Sequence, residues 1–203
     1  KNAEKQSGEH IESCFISISG EHIRGINNTG VITVSDNNSS SSSKQITKSD
    51  IKRVLEHAQT ITLPMERRIL HVLSQEFKVD EHHGIKNPIG MTGHRLETKV
   101  HIVTSEINKE KNFNTCIESS GIDTIDFILG ALSSSYALLN DNERDLGIAL
   151  LDIGAGTTDI IVYSDGGVKH TGVVPLGGDN ITSDIAHALQ TTLQQAEILK
   201  CKY

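Results

Sequence analysis

The first half of the chain alternates between apolar and polar residues over several short segments. Cys14–Gly20 alternates in this way and predicts a strand that ends at the glycine, and Gly30–Val34 predicts a shorter one. Arg67–Asp80 predicts one or two further strands. Leu96–Ser105 shows the clearest alternation, because every second residue from its start is apolar or threonine. One face of this last strand is therefore expected to be buried.

Between Thr47 and Pro64 the apolar residues are spaced as on one face of a helix, and no longer alternate. Ile51 and the apolar residues three, four, seven and ten positions after it fall on one face of a helix. The preceding segment, Thr47–Asp50, resembles a capping box in which aspartate takes the place of glutamate. Pro64 lies just beyond the last apolar position and supports the end of the helix before it.

The middle of the chain predicts shorter elements. Lys109–Ile122 predicts a helix with Gly121 placed as its C-terminal cap. Thr124–Leu129 predicts a short strand or the entry to a helix, and Gly130–Leu139 predicts a helix of small residues. Asn140–Asp145 is rich in charge and predicts a surface turn.

The last third predicts three strands followed by two helices. The strands are a buried one over Leu146–Ile153, one with a tight turn over Thr158–Gly167, and one over Val168–Gly178; the helices are Asn180–Gln190 and Leu193–Tyr203. Asn180 or Asp179 is expected to cap the first of these helices.

The first two of these strands are separated by unusual chemistry, with acids, glycines and threonines between two apolar runs. These residues are Asp152, Gly154, Gly156, Thr157, Thr158 and Asp159. The glycines let the backbone approach a ligand and adopt positive φ, and loop N–H groups and threonine hydroxyls can cradle phosphate oxygens. An acid beside phosphates makes sense if Asp152, with Asp159 as a second candidate, holds Mg²⁺ that the phosphates also bind. The alternative is a decorated β-hairpin, since glycine and threonine are common in turns.

A second glycine pair, Gly177–Gly178, stands between the third strand and a helix, where backbone N–H groups can meet an anion. Glu197 and Lys200 are three residues apart on the last helix and therefore share a face. That face is either a solvated ion pair or a pair that reaches a ribose and adenine.

Composition narrows the class of protein. The 203 residues carry a formal net charge of −7 without tryptophan, so no basic face for nucleic acid is expected and the core must be aliphatic. Cys14, Cys116 and Cys201 are far apart, which fits a reducing cytosol, and Cys116 is expected in the core. The polar run Ser35–Lys44 predicts a loop that buries no core.

The order of the motifs resembles the actin-like ATPase superfamily: a strand, DIGAGTTD, a second strand, PLGG, a helix and AEILK. Within it the chain is similar to the FtsA family of cell division proteins. The segments that carry this similarity are Gly84–Thr104, Ser134–Leu139, Glu143–Ala186 and Ala196–Lys200. The first of them, GIKNPIGMTGHRLETKVHIVT, belongs to FtsA and not to actin or the heat-shock chaperones.

The resemblance implies an α/β fold of the actin-like, ribonuclease H-like type, incomplete here, with an inserted α+β subdomain 1C that is SHS2-like. It implies that residues 11–106 form subdomain 1C and that residues 1–10 and 107–142 are parts of subdomain 1A. Residues 143–203 would begin subdomain 2A and carry a phosphate loop. The chain is accordingly expected to be a fragment, with the first phosphate loop, subdomain 2B, the adenosine motif and a membrane helix outside it.

The resemblance also implies ligands and site residues. ATP and Mg²⁺ are the expected ligands, with at most weak ATPase activity and no catalytic residue assigned. By position, Asp152, Gly154, Gly156, Thr157 and Thr158 fall on the phosphate and Mg²⁺ loop, Gly177 and Gly178 on the second glycine pair, and Glu197 and Lys200 where relatives contact the nucleoside. Ala155 stands where the family usually has glycine, and Ser39–Ser43 looks like an insertion in subdomain 1C.

For the whole protein, the resemblance implies an adaptor of the bacterial division ring. It would polymerise, recruit FtsZ, meet other division proteins through subdomain 1C and attach to the cytoplasmic face of the inner membrane by a C-terminal amphipathic helix. A fragment with part of the ATP site is expected to bind nucleotide weakly. The alternatives are an enzyme of the same superfamily, such as a sugar kinase, which needs an acceptor pocket, and a chaperone-type ATPase, which needs a substrate domain.

Overall fold

The computed structural model describes residues 2–34 and 44–203. Up to residue 106 the elements are α1 (Asn2–Ser7), β1 (Ser13–Ile18), β2 (Arg24–Thr33), β3 (Lys44–Gln45), α2 (Lys48–Ala58), β4 (Arg67–Val79), β5 (His82–Ile85), β6 (Thr92–Gly93) and β7 (Arg95–Glu106). The serines of the expected insertion, with the rest of the polar run before Lys44, lie outside the described residues.

The elements after residue 106 include the helices that flank the candidate site. They are α3 (Ile107–Glu118), β8 (Asp123–Leu129), α4 (Gly130–Leu138), α5 (Asp141–Leu146), β9 (Ile148–Ile153), β10 (Thr158–Ser164), β11 (Gly167–Val174), α6 (Gly178–Leu189) and α7 (Leu193–Lys202). In the part of the chain that the structure describes, no helix is long and apolar enough to cross a membrane.

The four-stranded sheet, in the antiparallel order β2–β7–β4–β5, is covered on one face by α2. The expected capping box begins α2, because Asp50 N donates to Thr47 Oγ1 and Thr47 N donates to Asp50 Oδ2. The helix lies so close to β2 that a Cβ on Gly30 would come within 2.3 Å of the Val54 carbonyl oxygen. The alternation in β7 is confirmed, with Leu96 and Ile102 fully buried.

The hairpin sheet consists of β9, β10 and β11 and is antiparallel throughout. Asp165 (φ 55°) and Gly166 (φ 77°) form the two-residue turn between β10 and β11, where positive φ matches the twist of the strands. Helices α6 and α7 follow and pack against each other. Next to this sheet, β1 and β8 form a parallel pair, and α4 leads away from β8.

One core joins these parts. Its buried residues come from the parallel pair, the four-stranded sheet and the hairpin sheet, and include Ile18, Val103, Leu129, Leu150 and Ile161. The hairpin sheet also contacts the four-stranded sheet through β11, where Gln75 Nε2 donates to the Val168 carbonyl oxygen at 2.7 Å. The hairpin therefore lies against both β1 and α4 at one side and the four-stranded sheet at the other.

His101 lies fully buried at the second of these contacts. Its Nδ1 is 2.7 Å from Asn27 Oδ1, and its Nε2 is 2.8 Å from Thr171 Oγ1 on β11. Burial, with a smaller effect of the nearby His170, lowers the pKa of His101 from 6.5 to about 4. The ring is neutral at physiological pH and links the two sheets.

Several expectations from the sequence were wrong in detail. The predicted turn Asn140–Asp145 is mostly helix α5, because Asn140 and Glu143 form a reciprocal capping box. Gly177, and not Asn180 or Asp179, is the N-cap of α6, since Asn180 Oδ1 instead accepts the N–H of Gly177.

Two further expectations, about which residues are buried, were also wrong. Strand β9 is buried on one face only: Leu150 is in the core, while the alternate residues Leu151 and Ile153 are 57% and 67% exposed. Cys116 is exposed on α3, because the buried residue of that helix is Glu110, held by Arg68.

Candidate functional site

Two carboxylates face each other where the hairpin of β9 and β10 turns. Asp152 on β9 is paired in register with Asp159 on β10. Residues directly opposite on antiparallel strands place their side chains on the same face. That face is the inner one, because Leu150 and Ile161, two residues back along each strand, belong to the core. The sheet geometry therefore aims both acids toward the elements that the hairpin packs against.

Asp159 is buried and only partly satisfied. Ser19, just after β1, donates its hydroxyl to Asp159 Oδ2 at 2.5 Å, while Oδ1 is buried without a hydrogen-bond partner among the described residues. Burial raises the pKa of Asp159 above its usual value; the Ser19 hydrogen bond opposes this rise and the charge of Asp152 adds to it. Ser19 Oγ also lies 3.3 Å from Thr157 Oγ1. A buried acceptor of this kind calls for a donor or a cation.

Asp152 is half-buried and is held from a different element. Ser134 on α4 donates its hydroxyl to Asp152 Oδ2 at 2.7 Å. The carboxylate is thus fixed between the hairpin and α4, and its neighbour across the strands is the buried acid of Asp159. Two close carboxylates repel each other unless a cation or a proton lies between them.

The loop between the strands is tightly folded, but not in the way expected. Neither Gly154 nor Gly156 has positive φ. The Gly154 N–H donates to the Thr157 carbonyl oxygen at 2.8 Å, and a Cβ on Gly154 would lie 3.1 Å from that oxygen, while Gly156 faces open space. The Thr158 hydroxyl donates to the Leu176 carbonyl oxygen at 2.7 Å. The loop is therefore attached to the segment that leads into α6.

The second glycine pair packs directly on this loop. A Cβ on Gly177 would lie 2.4 Å from the Ala155 carbonyl oxygen and 2.5 Å from that of Gly154. The N–H groups of Gly178 and Asp179 donate to these same two carbonyl oxygens at 2.9 and 2.8 Å. These first N–H groups of α6, expected to be available to an anion, thus have partners in the chain. Gly177 is required here for the close approach of helix and loop, whereas a Cβ on Gly178 would lie no closer than 3.5 Å to any neighbouring atom.

Glu197 and Lys200 extend the network to α7. Lys200 Nζ lies 2.6 Å from Glu197 Oε2 and donates to Thr182 Oγ1 at 2.8 Å and to the Gly178 carbonyl oxygen at 3.2 Å. The Thr182 hydroxyl donates to Glu197 Oε2 at 2.5 Å. The hydrogen bond from Lys200 is the largest cause that lowers the pKa of Glu197 to about 2, and the same bond raises the pKa of Lys200. The pair stays charged and is linked to the glycine pair rather than standing alone in solvent.

An open cleft of about 790 Å³ lies beside this pair, between α6 and α7. Its lining combines polar side chains with exposed aliphatic ones: Asp179, Thr182, Ser183, Leu193, Gln194, Glu197 and Ile198. The structure therefore brings the expected site residues into two linked groups. Asp152 and Asp159 lie at the hairpin loop. Glu197 lines the cleft and is paired with Lys200, and Gly177 and Gly178 lie between the two groups.

A hard cation suits the first group. Mg²⁺ is usually held by one or two carboxylates together with water and substrate phosphates, and not by a complete set of protein ligands. Among residues 2–34 and 44–203, no cluster of three or more His, Cys, Asp or Glu side chains could hold a metal by itself. The buried Oδ1 of Asp159 without a partner, opposite Asp152, fits a cation that shares its ligands with a phosphate.

Sequence reasoning missed three hydroxyls of this site. Ser19 and Ser134 hold the two acids, and Thr182 joins Glu197 to Lys200. Ser134 lies in a run of three serines and begins a segment that carries the family resemblance, but neither signal assigned it a role. Nothing local marked Ser19, whose partner lies 140 residues away.

The chain is similar in sequence to known cell division proteins. Residues 20–104 match the family model "SHS2 domain inserted in FTSA", and residues 149–203 match the model "Cell division protein FtsA". The chain is 41% identical over 201 residues to "Cell division protein FtsA" of Pseudomonas aeruginosa, covering 99% of this chain and 46% of that protein. It is 42% identical over 198 residues to the protein of that name from Borreliella burgdorferi, covering 98% and 47%. The chain thus spans about half the length of the curated relatives it matches.

Among solved structures, the chain superposes on one from a "PilM-PilN type IV pilus biogenesis complex" with a TM-score of 0.65 and 15% identity. The match covers 98% of this chain and 53% of that one. A likeness at this level of identity shows the fold, which is the actin-like ATPase fold with an SHS2 insertion, as the sequence predicted.

Proposed function

Because the chain belongs to the FtsA family of cell division proteins, we propose that it binds Mg²⁺–ATP at the β9–β10 loop and serves as a nucleotide-dependent adaptor of the division ring. The observation that carries the proposal is the pair Asp152 and Asp159, which face each other across the hairpin with one buried oxygen lacking a partner. A plain hairpin turn gains nothing from two acids on its inner face.

The acids would hold the cation that accompanies the phosphates. Mg²⁺ between the loop and the phosphate oxygens would neutralise the repulsion between Asp152 and Asp159. The loop from Gly154 to Thr157 would lie against the phosphates, with the Thr157 hydroxyl as a further partner. Both acids of the loop are assigned to the cation and neither to a general base, so the function proposed for the loop is binding, with at most weak ATPase activity.

The nucleoside would lie toward α7. The cleft between α6 and α7 offers Leu193 and Ile198 for the flat faces of a base and Glu197 for ribose hydroxyls. Lys200 holds Glu197 charged and ready to accept hydrogen bonds. Gly177 and Gly178 would keep the loop and the cleft at a fixed distance, which supports one ligand that spans both.

ATP in this proposal acts chiefly as a conformational ligand. It would stabilise the arrangement of lobes that it binds best, and so favour assembly. In the full-length protein we propose self-association into filaments, recruitment of FtsZ, contacts of the SHS2-type sheet with other division proteins, and attachment to the cytoplasmic face of the inner membrane by a C-terminal helix. With a net charge of −7, nucleic acid is not proposed as a partner.

The test is nucleotide affinity of the full-length protein, measured with a fluorescent ATP analogue with and without Mg²⁺. Asp152→Ala is expected to weaken Mg²⁺–ATP binding by at least about tenfold, because loss of even a group that only orients a metal ligand commonly costs about ten- to a hundredfold. Asp165→Ala, an exposed acid in the next turn, is the matched control and should leave the affinity unchanged. Equal affinity of wild type and Asp152→Ala would reject the site.

Turnover separates the adaptor from an enzyme. Bound ATP that is scarcely hydrolysed in the presence of lipid and FtsZ is the expected result for a nucleotide-dependent scaffold. Rapid transfer of the γ-phosphoryl group to a sugar acceptor would instead favour the kinase alternative.

A further inference from the structure

Two serines from outside the hairpin hold its two acids. Ser134, on α4, donates to Asp152 Oδ2 at 2.7 Å, and Ser19, between β1 and β2, donates to Asp159 Oδ2 at 2.5 Å. The contacts are equivalent: in each, one hydroxyl takes the Oδ2 oxygen of one carboxylate. Neither serine lies in the loop motif, and neither belongs to the hairpin sheet.

We propose that Ser19 and Ser134 are positioning residues for the cation site, and that they make cation affinity depend on how the hairpin docks against β1 and α4. This inference rests on the proposed function. A carboxylate with one oxygen held by a hydroxyl cannot rotate freely, so the other oxygen keeps a fixed direction. For Asp159 that other oxygen is the buried Oδ1 without a partner.

Groups that hydrogen-bond the ligands of a metal strongly affect how tightly the metal is bound. A group that hydrogen-bonds a metal ligand fixes its orientation, and its removal commonly costs about ten- to a hundredfold in metal affinity. Ser19 reaches the loop in a second way, because its hydroxyl is 3.3 Å from that of Thr157. A single residue therefore fixes both the buried acid and a loop threonine.

The hydrogen bonds also connect separate segments. The acids belong to the strands after Gly147, and the serines belong to the elements before it. If the hairpin moves away from β1 and α4, both hydrogen bonds break and the acids lose their fixed direction. By linkage, a cation that binds better to the docked hairpin stabilises docking by the same factor.

The experiment compares ATP affinity with Mg²⁺ and with EDTA in the full-length protein. Ser134→Ala and Ser19→Ala are expected to reduce the gain in affinity that Mg²⁺ provides by about tenfold each, while affinity in EDTA stays at the wild-type value. Ser134→Thr, which keeps a hydroxyl, should restore most of the gain.

Two matched controls test the geometry. Ser133 Oγ donates to the Gly130 carbonyl oxygen within α4, and Ser17 is exposed on β1. Ser133→Ala and Ser17→Ala should therefore leave the Mg²⁺ gain unchanged. A thermal melt of each variant identifies any that fails to fold, and the alanine variant at the other serine then carries the test.

The outcomes separate the two proposals. Wild-type protein that binds no Mg²⁺–ATP overturns the proposed function and this inference with it. Wild-type protein that binds Mg²⁺–ATP, with alanine variants that show the full Mg²⁺ gain, overturns only the positioning role. Equal losses with Mg²⁺ and with EDTA also overturn it, since they mean a structural role that does not act through the cation.

Discussion

The four-stranded sheet and the hairpin sheet use their inner faces differently. In the central strand β7, both faces become buried toward its end: Val100 and Ile102 lie under α2, while His101 and Val103 face the rest of the molecule. In β9 and β10 the inner face begins with Leu150 and Ile161 and then ends in two acids. The first sheet has an inner face made for stability. The second sheet carries two acids of the candidate site on part of its inner face. Substitutions in the first sheet should therefore change stability, and substitutions in the second should change ligand binding.

The largest expected effect is on stability, in the four-stranded sheet. Ile102→Ala should lower the free energy of unfolding by about 4 kcal/mol, because it opens a cavity at the centre of a fully buried cluster. Denaturant unfolding measures this. Ile26→Ala should cost much less, because Ile26, directly opposite Ile102, lies on the edge strand β2 and is 41% exposed. If Ile102→Ala protein that is still folded also lost ATP affinity, the two sheets would not be separable.

Acid should weaken the contact between the two sheets. The pKa of His101 is about 4 when folded and 6.5 when exposed, so the unfolded chain binds more protons between these values. The contribution of His101 is complete above pH 6.5 and declines toward pH 4, by about 3 kcal/mol in all.

Unfolding by denaturant at pH 7 and at pH 4 measures that loss. His101→Gln should remove it, whereas His82→Gln, at an exposed histidine, should not. Burial also lowers the pKa values of His22 and His71, so the quantity to compare is the difference between wild type and variant. An equal acid loss in wild type and His101→Gln would assign the effect to those histidines.

Asp159 should make stability depend on pH in the opposite direction to His101, with a smaller effect. Its folded pKa is raised above 3.8, so the native state binds more protons and stability falls as pH rises above that value. Asp159→Asn should remove this dependence and raise stability at pH 7 by about 1 kcal/mol, since a buried charge with an unsatisfied oxygen is lost. The same variant should lose Mg²⁺-dependent ATP affinity. Calorimetry and nucleotide binding on one sample test both, and a destabilised variant would contradict the expectation.

The smallest expected loss of stability is at the N-terminus of α5, the helix between α4 and β9. Asn140→Ala removes the side chain that accepts the Glu143 N–H and should cost about 0.5 kcal/mol. Asn142→Ala, exposed in the same helix, is the control. A change in melting temperature of the two variants relative to wild type gives the measurement, and equal values would mean that the cap is dispensable.

The sequence was most informative where one local rule decides the outcome. The period of two in β7 predicted its buried face, and Thr47 and Asp50 predicted the start of α2. Asn140 and Glu143 carried the same kind of capping signal, but the density of charge led to a turn being predicted instead.

The rest depended on contacts between distant segments. The motif predicted that Asp152 and Asp159 belong together, but which hydroxyls hold them is decided by the packing of β1 and α4 on the hairpin. Gly177, at the start of α6, illustrates the same limit. Gly177 is required because another segment lies 2.4 Å from the place of its missing Cβ, and not because of its own φ.

That contact has a mechanical consequence. Gly177 is in direct contact with the loop carbonyls, and the N–H groups of Gly178 and Asp179 donate hydrogen bonds to them. The loop and the first turn of α6 are therefore tightly packed against each other. We therefore expect the loop and α6 to move together. A ligand that displaces the loop should then also displace the far end of this twelve-residue helix, where Leu189 lies 61% exposed.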